Sequence, residues 1–242
     1  MKRVFDFLLS FFGLVVFSPL LITCLVLVWC QDRHSPLYIS YRVGKHGRLF
    51  KMVKIRSMLF NADMTGVDST GDNDARITKI GHLIRRLKID EIAQLWNVLI
   101  GEMSLVGPRP NVERETRLYT DLERVLLTVK PGITDFASIV FSDEGTILSG
   151  HLNPDVAYNQ LIRPGKSALG LFYVKHSNIF VDFALIILTL ISVISRSRAL
   201  TLLNLLLRLM GANPELLEMA LRKKDLIPTP PPGSNKIVTS RG

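Results

Sequence analysis

The chain has 242 residues, enough for one domain with a hydrophobic core plus appendages. Lysine and arginine outnumber aspartate and glutamate by 30 to 21, and this formal charge of +9 favours anionic partners. No zinc-finger spacing, helix-turn-helix signature or aromatic-studded basic motif accompanies the charge, so no nucleic-acid partner is expected, and the long apolar segments turn the expectation toward membrane lipids. Cys24 and Cys30 both fall in the first apolar segment and read as small hydrophobes. The five histidines form no HxxxH or HExxH pattern, and no P-loop or GxGxxG occurs.

Val4 to Trp29 is almost entirely apolar, with Asp6 as its one charge. As a straight helix it would measure roughly 39 Å, enough to cross a hydrocarbon core of about 30 Å. It is too long for a secretory signal, and no A-x-A-like cleavage site follows it. Two features work against a plain span. Ser18-Pro19 falls near the middle, where proline removes a backbone donor and crowds the preceding turn. Cations also flank both ends: Lys2 and Arg3 before, and Arg33, Arg42, Lys45, Arg48, Lys51, Lys54 and Arg56 after. Positive flanks belong on the cytoplasmic side. The segment therefore reads either as a transmembrane span or as a hairpin, broken at Pro19, that enters and leaves on one face.

Alternation about Gly44-Lys45-His46-Gly47 predicts short strands over Tyr38–Arg42 and Leu49–Ile55. Asn61 to Ala75, rich in Gly, Asp, Asn and Thr, predicts a mobile loop. Ile77, Ile80, Ile84 and Leu87 share one helical face. A second helix is expected from an Asp90 N-cap to Ile100, striped by Ile92, Leu95, Trp96 and Leu99 and ended by Gly101. Glu113 to Val129 predicts another amphipathic helix before a Pro131-Gly132 turn, and Ser142 to Pro164 a loop-rich stretch with one short helix. Ile179 to Ile194 is apolar but short for a span, and Asp182 counts against one. The leucine-rich stretches beyond carry narrow polar stripes: Thr201, Asn204 and Arg208, then Glu215, Glu218 and Arg222. Such helices either cover a core or lie flat among lipid headgroups. From Pro228 the proline-led tail is expected to be disordered.

The chemical content concentrates in KIDEIAQLWNVLIGEMSLVGPRP, Lys88 to Pro110. Asp90 and Glu91 are adjacent carboxylates that repel each other. Their plain reading is a capping aspartate and a first-turn glutamate, both set against the helix dipole. Their setting points further. Arg85, Arg86 and Lys88 come just before, and Arg109 sits in a rigid Pro-Arg-Pro suited to bidentate phosphate binding. Carboxylates beside cations stay ionised near neutrality. Oxygen ligands for a hard cation and donors for phosphates are what a Mg²⁺-dependent phosphate-transfer site requires. A carboxylate can also attack phosphorus itself, dividing one displacement into two.

From Lys2 to about Ile194 the chain resembles the bacterial sugar transferase family, the small monotopic polyprenyl-phosphate phosphoglycosyl transferases. The resemblance rests on KRVFD (Lys2–Asp6), Ser18-Pro19, RVGKHGRLFKMVKIRSM (Arg42–Met58), RITKIGHLIRRLKIDEIAQLWNVLIGEMSLVGPRP (Arg76–Pro110) and KPGIT (Lys130–Thr134). It implies transfer of a phospho-sugar from a UDP-sugar to a polyprenyl (undecaprenyl) phosphate, with release of UMP, as the first membrane step of a glycan assembly pathway. It implies Asp90 as nucleophile and Mg²⁺ ligand, Glu91 as its partner, Arg109 on phosphate, Arg85 supporting the pair and Lys54 nearby. It also implies an α+β, mostly helical monotopic fold on the cytoplasmic face of the bacterial inner membrane. In that fold a re-entrant helix breaks at Ser18-Pro19, interfacial amphipathic helices lie in the headgroups and a compact catalytic domain sits above them. The expected division is 1–33 membrane helix, 34–178 catalytic core, 179–227 interfacial helices and 228–242 tail.

The likeness is to the minimal type, without added N-terminal transmembrane helices. Departures from the family's usual pattern include Ala93 for proline, Glu102 for aspartate, Asp135 for glycine and Ser138 for glutamine. If that glycine serves a positive φ or a close approach, the donor pocket differs here. The C-terminal helices can pair subunits as a homo-oligomer or rest on lipid. The alternative to an enzyme is a non-catalytic membrane-surface scaffold for glycan-assembly enzymes, with Asp90 only a cap.

Overall fold

The computed structural model describes residues 1–65 and 69–240. The first apolar segment forms one helix, α1 (Lys2–Asp32), with Pro19 inside it rather than at an end. Proline leaves the carbonyl of Val15 without its amide donor. Ser18 Oγ donates to that carbonyl at 2.7 Å, and Thr23 Oγ1 donates to the carbonyl of Pro19 at 2.8 Å. The expected interruption at Ser18-Pro19 is therefore not an end of helical structure, because a side chain replaces the missing donor. Asp6, Ser10, Cys24 and Val28 are buried against the rest of the protein, while Phe7, Phe12, Val16, Ile22 and Trp29 are exposed. Among the described residues α1 is the one helix long and apolar enough to cross a membrane.

Strands β1 (Leu37–Val43) and β2 (Leu49–Ile55) pair antiparallel, placing Tyr38 opposite Lys54. Gly47 takes φ 76° in the turn between them, a conformation that favours glycine. The expected loop over 61–75 includes 66–68, which lie outside the described residues. Around them the chain forms a short 3-10 turn, Ala62–Thr65, and is then fastened. Ser69 N donates to Asp155 at 2.8 Å and Thr146 Oγ1 to Asp72 at 2.6 Å.

Helix α2 (Lys79–Arg86) starts at Thr78, whose hydroxyl accepts from Gly81 N. The single helix expected from Asp90 to Ile100 is instead two, α3 (Ile89–Ile92) and α4 (Leu95–Ile100), the second ended by Gly101 at φ 92°. Lys88, at φ 55°, occupies the cap position, so Asp90 falls inside the first turn rather than capping it. Helix α4 is docked by Asn97, which accepts from Val53 N at 3.0 Å and donates to the Lys51 carbonyl at 2.7 Å. That side chain satisfies the edge of β2 where another strand would otherwise pair.

Strand β3 (Ser104–Val106) runs parallel to β4 (Gly132–Thr134). A Cβ on Gly132 would lie 2.1 Å from Gly107 N, so the two glycines let the backbones meet just before Pro108-Arg109. The helix expected over Glu113 to Val129 is also split, into α5 (Glu113–Thr116) and a 3-10 stretch, Glu123–Thr128. Thr120 and Glu123 form a reciprocal capping box, Thr120 N to Glu123 Oε2 at 3.0 Å and Glu123 N to Thr120 Oγ1 at 3.1 Å, which starts a new turn there.

The stretch expected to be loop-rich holds more helix than that: α6 (Phe136–Val140) precedes it, and α7 (Glu144–Leu148), α8 (Pro154–Ala157) and a π-turn, Tyr158–Ile162, lead into α9 (Arg163–His176). Helices α10 (Ile179–Ile194), α11 (Arg196–Leu209) and α12 (Pro214–Leu221) follow. Leu185, Leu203, Leu207 and Ala220 share one buried core with Phe136, Ile139, Leu169 and Tyr173. The C-terminal helices therefore cover this core, and their outer faces leave Phe180, Leu190, Ile194, Leu205 and Leu209 exposed. The tail from Pro228 has no helix or strand among its described residues, but it is tied down by Thr229 N to the Gln160 carbonyl at 3.1 Å and Gln160 Nε2 to the Val238 carbonyl at 2.7 Å.

Candidate active site

Three segments distant in sequence bring charge to one place. Strand β2 contributes Lys54, α3 contributes Asp90 and Glu91 with Lys88 at its cap, and the turn after β3 contributes Arg109. Lys54 Nζ lies 3.9 Å from Asp90 Oδ2 and 3.7 Å from Glu91 Oε1. Arg109 Nη2 donates to Glu91 Oε1. Arg85, on the last turn of α2, is half-buried; its charge acts on Asp90, but among the described residues the ion pairs of the two carboxylates are with Lys54 and Arg109. Ser18 and Pro19 lie in the exposed middle of α1 and take no part in this cluster. The structure thus brings Lys54, Asp90, Glu91 and Arg109 together and leaves Arg85 at longer range.

The two carboxylates have different surroundings. Burial works to raise Glu91, but Arg109, Lys54 and Lys88 outweigh it and hold its pKa well below the usual carboxylate range. Glu91 in turn raises Arg109. Asp90 is 8% exposed and accepts no hydrogen bond among the described residues. Burial raises its pKa, Lys54 opposes that rise, and the negative charge of Glu91 adds to it. Lys54 and Lys88 are both pushed down, chiefly by burial, against the pull of the carboxylates. One carboxylate is thus tied through Oε1 to two cations, and its neighbour is buried, more basic than usual and, among the described residues, without a donor.

That pattern fits a hard cation. A carboxylate oxygen that lacks a hydrogen-bond donor but keeps an opening to solvent, as at Asp90 with its side chain 12% exposed, can serve as a metal ligand, and Mg²⁺ rests on one or two carboxylates together with substrate phosphates and water. Among the described residues no group of three or more His, Cys, Asp or Glu forms an all-protein cage.

Several neighbours were not picked out from sequence. Glu144 on α7 acts on Arg109 and pairs with Lys166 of α9, and Lys166 acts on Lys88 and on Asp135. Both lie in stretches without a motif. Gln94 is 1% exposed, and among the described residues neither of its amide atoms has a hydrogen-bond partner. Its position four residues after Asp90 was the available signal. Asp135 caps α6, accepting from Ser138 N at 2.7 Å and Ser138 Oγ at 2.6 Å. Its φ of −162° is ordinary extended backbone, so the position makes no demand for glycine.

A shallow groove lined by Val43, Gly44, Pro108, Arg109, Asn111 and Tyr119 opens beside the cluster. A larger depression of about 420 Å³ between Gly150 and Gln160 holds none of these charged groups, so charge rather than volume marks the site.

A left-handed cap at Lys88, a Pro-Arg-Pro turn and a carboxylate pair set among cations, on a chain that carries a long apolar helix, mark a membrane-associated protein with a buried charged site. Residues 1–196 match the bacterial sugar transferase family, and the chain belongs to it. The chain is 33% identical to the UDP-galactose-lipid carrier transferase of Erwinia amylovora over 214 residues, 82% of this chain and 41% of that protein. It is 33% identical over 204 residues to the exopolysaccharide production protein ExoY of Rhizobium meliloti, 78% of this chain and 83% of that protein. With the undecaprenyl-phosphate galactose phosphotransferase of Salmonella typhimurium it shares 39% identity over 149 residues, 55% of this chain and 31% of that protein. Against the Erwinia and Salmonella proteins the chain thus spans well under half of the relative's length.

Proposed function

We propose that this chain is a phosphoglycosyl transferase that moves a phospho-sugar from a UDP-sugar to a polyprenyl phosphate through an aspartyl-phosphosugar intermediate. The observation that carries this reading is Asp90, a buried carboxylate of raised pKa with no hydrogen-bond donor, beside a glutamate committed to Arg109 and Lys54. The names of the relatives, which include undecaprenyl-phosphate sugar phosphotransferases, support the substrate class.

In this reading a carboxylate oxygen of Asp90 attacks the β-phosphorus of the donor, and the phosphorus–oxygen bond to UMP breaks. A phosphate oxygen of the polyprenyl acceptor then attacks the same phosphorus, and the Asp90 carboxylate leaves. No proton is needed in either displacement. Arg109 and Lys54 orient and neutralise the diphosphate, and Glu91 holds both cations in place. Mg²⁺, when bound, would rest on Asp90 with Glu91 beside it and supply further charge neutralisation for the diphosphate.

The acceptor remains in the bilayer, so the enzyme must sit at its surface. We read α1 as a re-entrant element with both ends on the cytoplasmic face. Lys2 and Asp6 at its start and Asp32 at its end all bond to the same domain, which supports this. Cysteine labelling that placed the Lys2 and Arg48 regions on opposite sides would refute it.

The reaction is tested with the full chain in lipid nanodiscs, given a panel of UDP-sugars, Mg²⁺ and polyprenyl phosphate, while UMP release is followed. With one UDP-sugar and no acceptor, intact-protein mass spectrometry should show the added phosphosugar mass. Silence across the panel would overturn the assignment, and efficient transfer without any trappable adduct would overturn the covalent step.

A further inference from the structure

The three segments that build the site share one support. Val106 is the last residue of β3, three before Arg109; its carbonyl accepts from Lys2 Nζ at 3.2 Å and lies 3.0 Å from the Tyr173 hydroxyl oxygen. Lys2 also pairs with Asp182, a carboxylate 1% exposed, to which Tyr173 donates at 2.6 Å. Asp6, one turn along α1, accepts from Ser104 Oγ at 2.9 Å and Leu105 N at 3.2 Å. The start of α1 thus grips β3 on both its side-chain and backbone groups.

The other end of α1 grips Arg56, the residue just after β2. Asp32 accepts from Arg56 Nη1 and Nη2, both at 2.6 Å, and Arg56 is 5% exposed and two residues past Lys54. Between the two ends, Cys24 and Val28 pack with Ile55 of β2, Ile84 of α2, and Ile89 and Ala93, which flank Asp90 and Glu91 in sequence. Arg56 and Asp182 are the buried members of these contacts, while Asp32 and Lys2 reach them from partly exposed positions, so losing either outer partner strands a charge away from water.

We infer that Lys2 and Asp32 are positioning residues, through which the membrane helix α1 sets the placement of Arg109 and Lys54 about the carboxylate pair. Lys2 acts through the Val106 carbonyl and Asp32 through Arg56. Neither touches the reacting atoms.

The inference rests on the aspartyl reading for its kinetic arm and is independent of it in its structural arm. Lys2→Met, Asp32→Asn, Lys2→Arg and Arg3→Ala are made in the full chain in nanodiscs. In single-turnover adduct formation the first two should be slowed at least tenfold, with the final adduct stoichiometry and the donor concentration for half-maximal rate unchanged within about threefold. Lys2→Arg should recover most of the rate, because it restores a cation to Asp182. Arg3→Ala, whose side chain donates to the Val98 and Leu99 carbonyls instead, should stay within twofold of the parent.

In hydrogen exchange without substrate, Lys2→Met should raise exchange over 104–111 and Asp32→Asn over 52–58, the rest of the chain holding. Rates within twofold together with unchanged exchange would overturn the inference. So would exchange raised throughout the chain with stoichiometry falling in proportion, since that is general unfolding. Absence of an adduct in the parent would count against the aspartyl reading alone, and the exchange arm would still decide the brace.

Discussion

Two buried charge clusters in this protein use similar residues to opposite ends. Glu123 and Arg163, 0% and 2% exposed, are fully satisfied. Glu123 Oε1 accepts from Arg163 Nε at 2.9 Å and Ser167 Oγ at 2.6 Å, and its Oε2 accepts from Arg163 Nη2 at 2.5 Å and Thr120 N at 3.0 Å. Asn159 and the Leu118 carbonyl take up the remaining guanidinium donors named here. Asp90 is nearly as buried, yet its nearest cation is Lys54 at 3.9 Å and it accepts no hydrogen bond among the described residues. A carboxylate with every lone pair engaged holds structure together; one left open can react. Burial alone does not separate the two cases, and the count of donors does.

The contrast breaks most sharply on substitution. Asp90→Asn keeps shape and removes the charge, so adduct formation and UMP release should fall by roughly three orders of magnitude or more while thermal stability holds. Undiminished turnover would place Asp90 in the same class as Glu123. Arg163→Met should do the reverse. Stranding the Glu123 carboxylate should cost about 3–5 kcal/mol of stability, read as a drop in Tm, with the adduct rate per folded molecule little changed. A loss of rate without a loss of stability would show that the structural cluster also serves the chemistry.

Parts of this were legible from residue order alone. Alternation about the Gly44–Gly47 turn located both strands, and Gly101 ended its helix as expected, because these signals are local. The separation of α3 from α4 was not legible. The bonds from Asn97 to Lys51 and Val53 that dock α4 on β2 exist only after the hairpin has folded. Thr120-x-x-Glu123 did carry the signal that divides the next predicted helix, in a form that amphipathic spacing overrode. In the site, the adjacency of Asp90 and Glu91 and the rigid setting of Arg109 were readable. That Lys54 reaches both carboxylates while Arg85 reaches neither depends on strand register and on the left-handed turn at Lys88. Glu144 and Lys166 stood in stretches without a motif, and only tertiary packing reveals them.

Titration sharpens the comparison with a smaller effect. In the proposed reaction Asp90 must be ionised to attack, and burial raises its pKa above the usual 3.8. Adduct formation should therefore fall as pH is lowered through that raised value, at a higher pH than an ordinary aspartate would give. Lys54 is the strongest influence opposing the rise. Lys54→Met removes it, so the acid limb of single-turnover adduct formation should move to higher pH, and Lys54→Arg should leave it nearly in place. A limb that stayed fixed or moved to lower pH would mean that Lys54 does not control the Asp90 proton.

The smallest effect concerns a third polar contact, in the middle of α1, where satisfaction again decides. Pro19 denies Val15 its amide donor, and Ser18 Oγ supplies the replacement at 2.7 Å. Ser18→Ala should leave that carbonyl unpaired at a cost of about 1 kcal/mol, and an apolar surrounding makes such a vacancy harder to fill with water. Pro19→Ala restores the amide, and on that background the serine has no vacancy to fill. Ser18→Ala should then cost almost nothing, so the double-mutant cycle should show a coupling close to the whole single-mutant loss. Thermal unfolding in nanodiscs reads all four variants. Equal losses on both backgrounds would mean that the serine stabilises α1 by some other contact, and that proline at this position is tolerated for a reason unrelated to its neighbour.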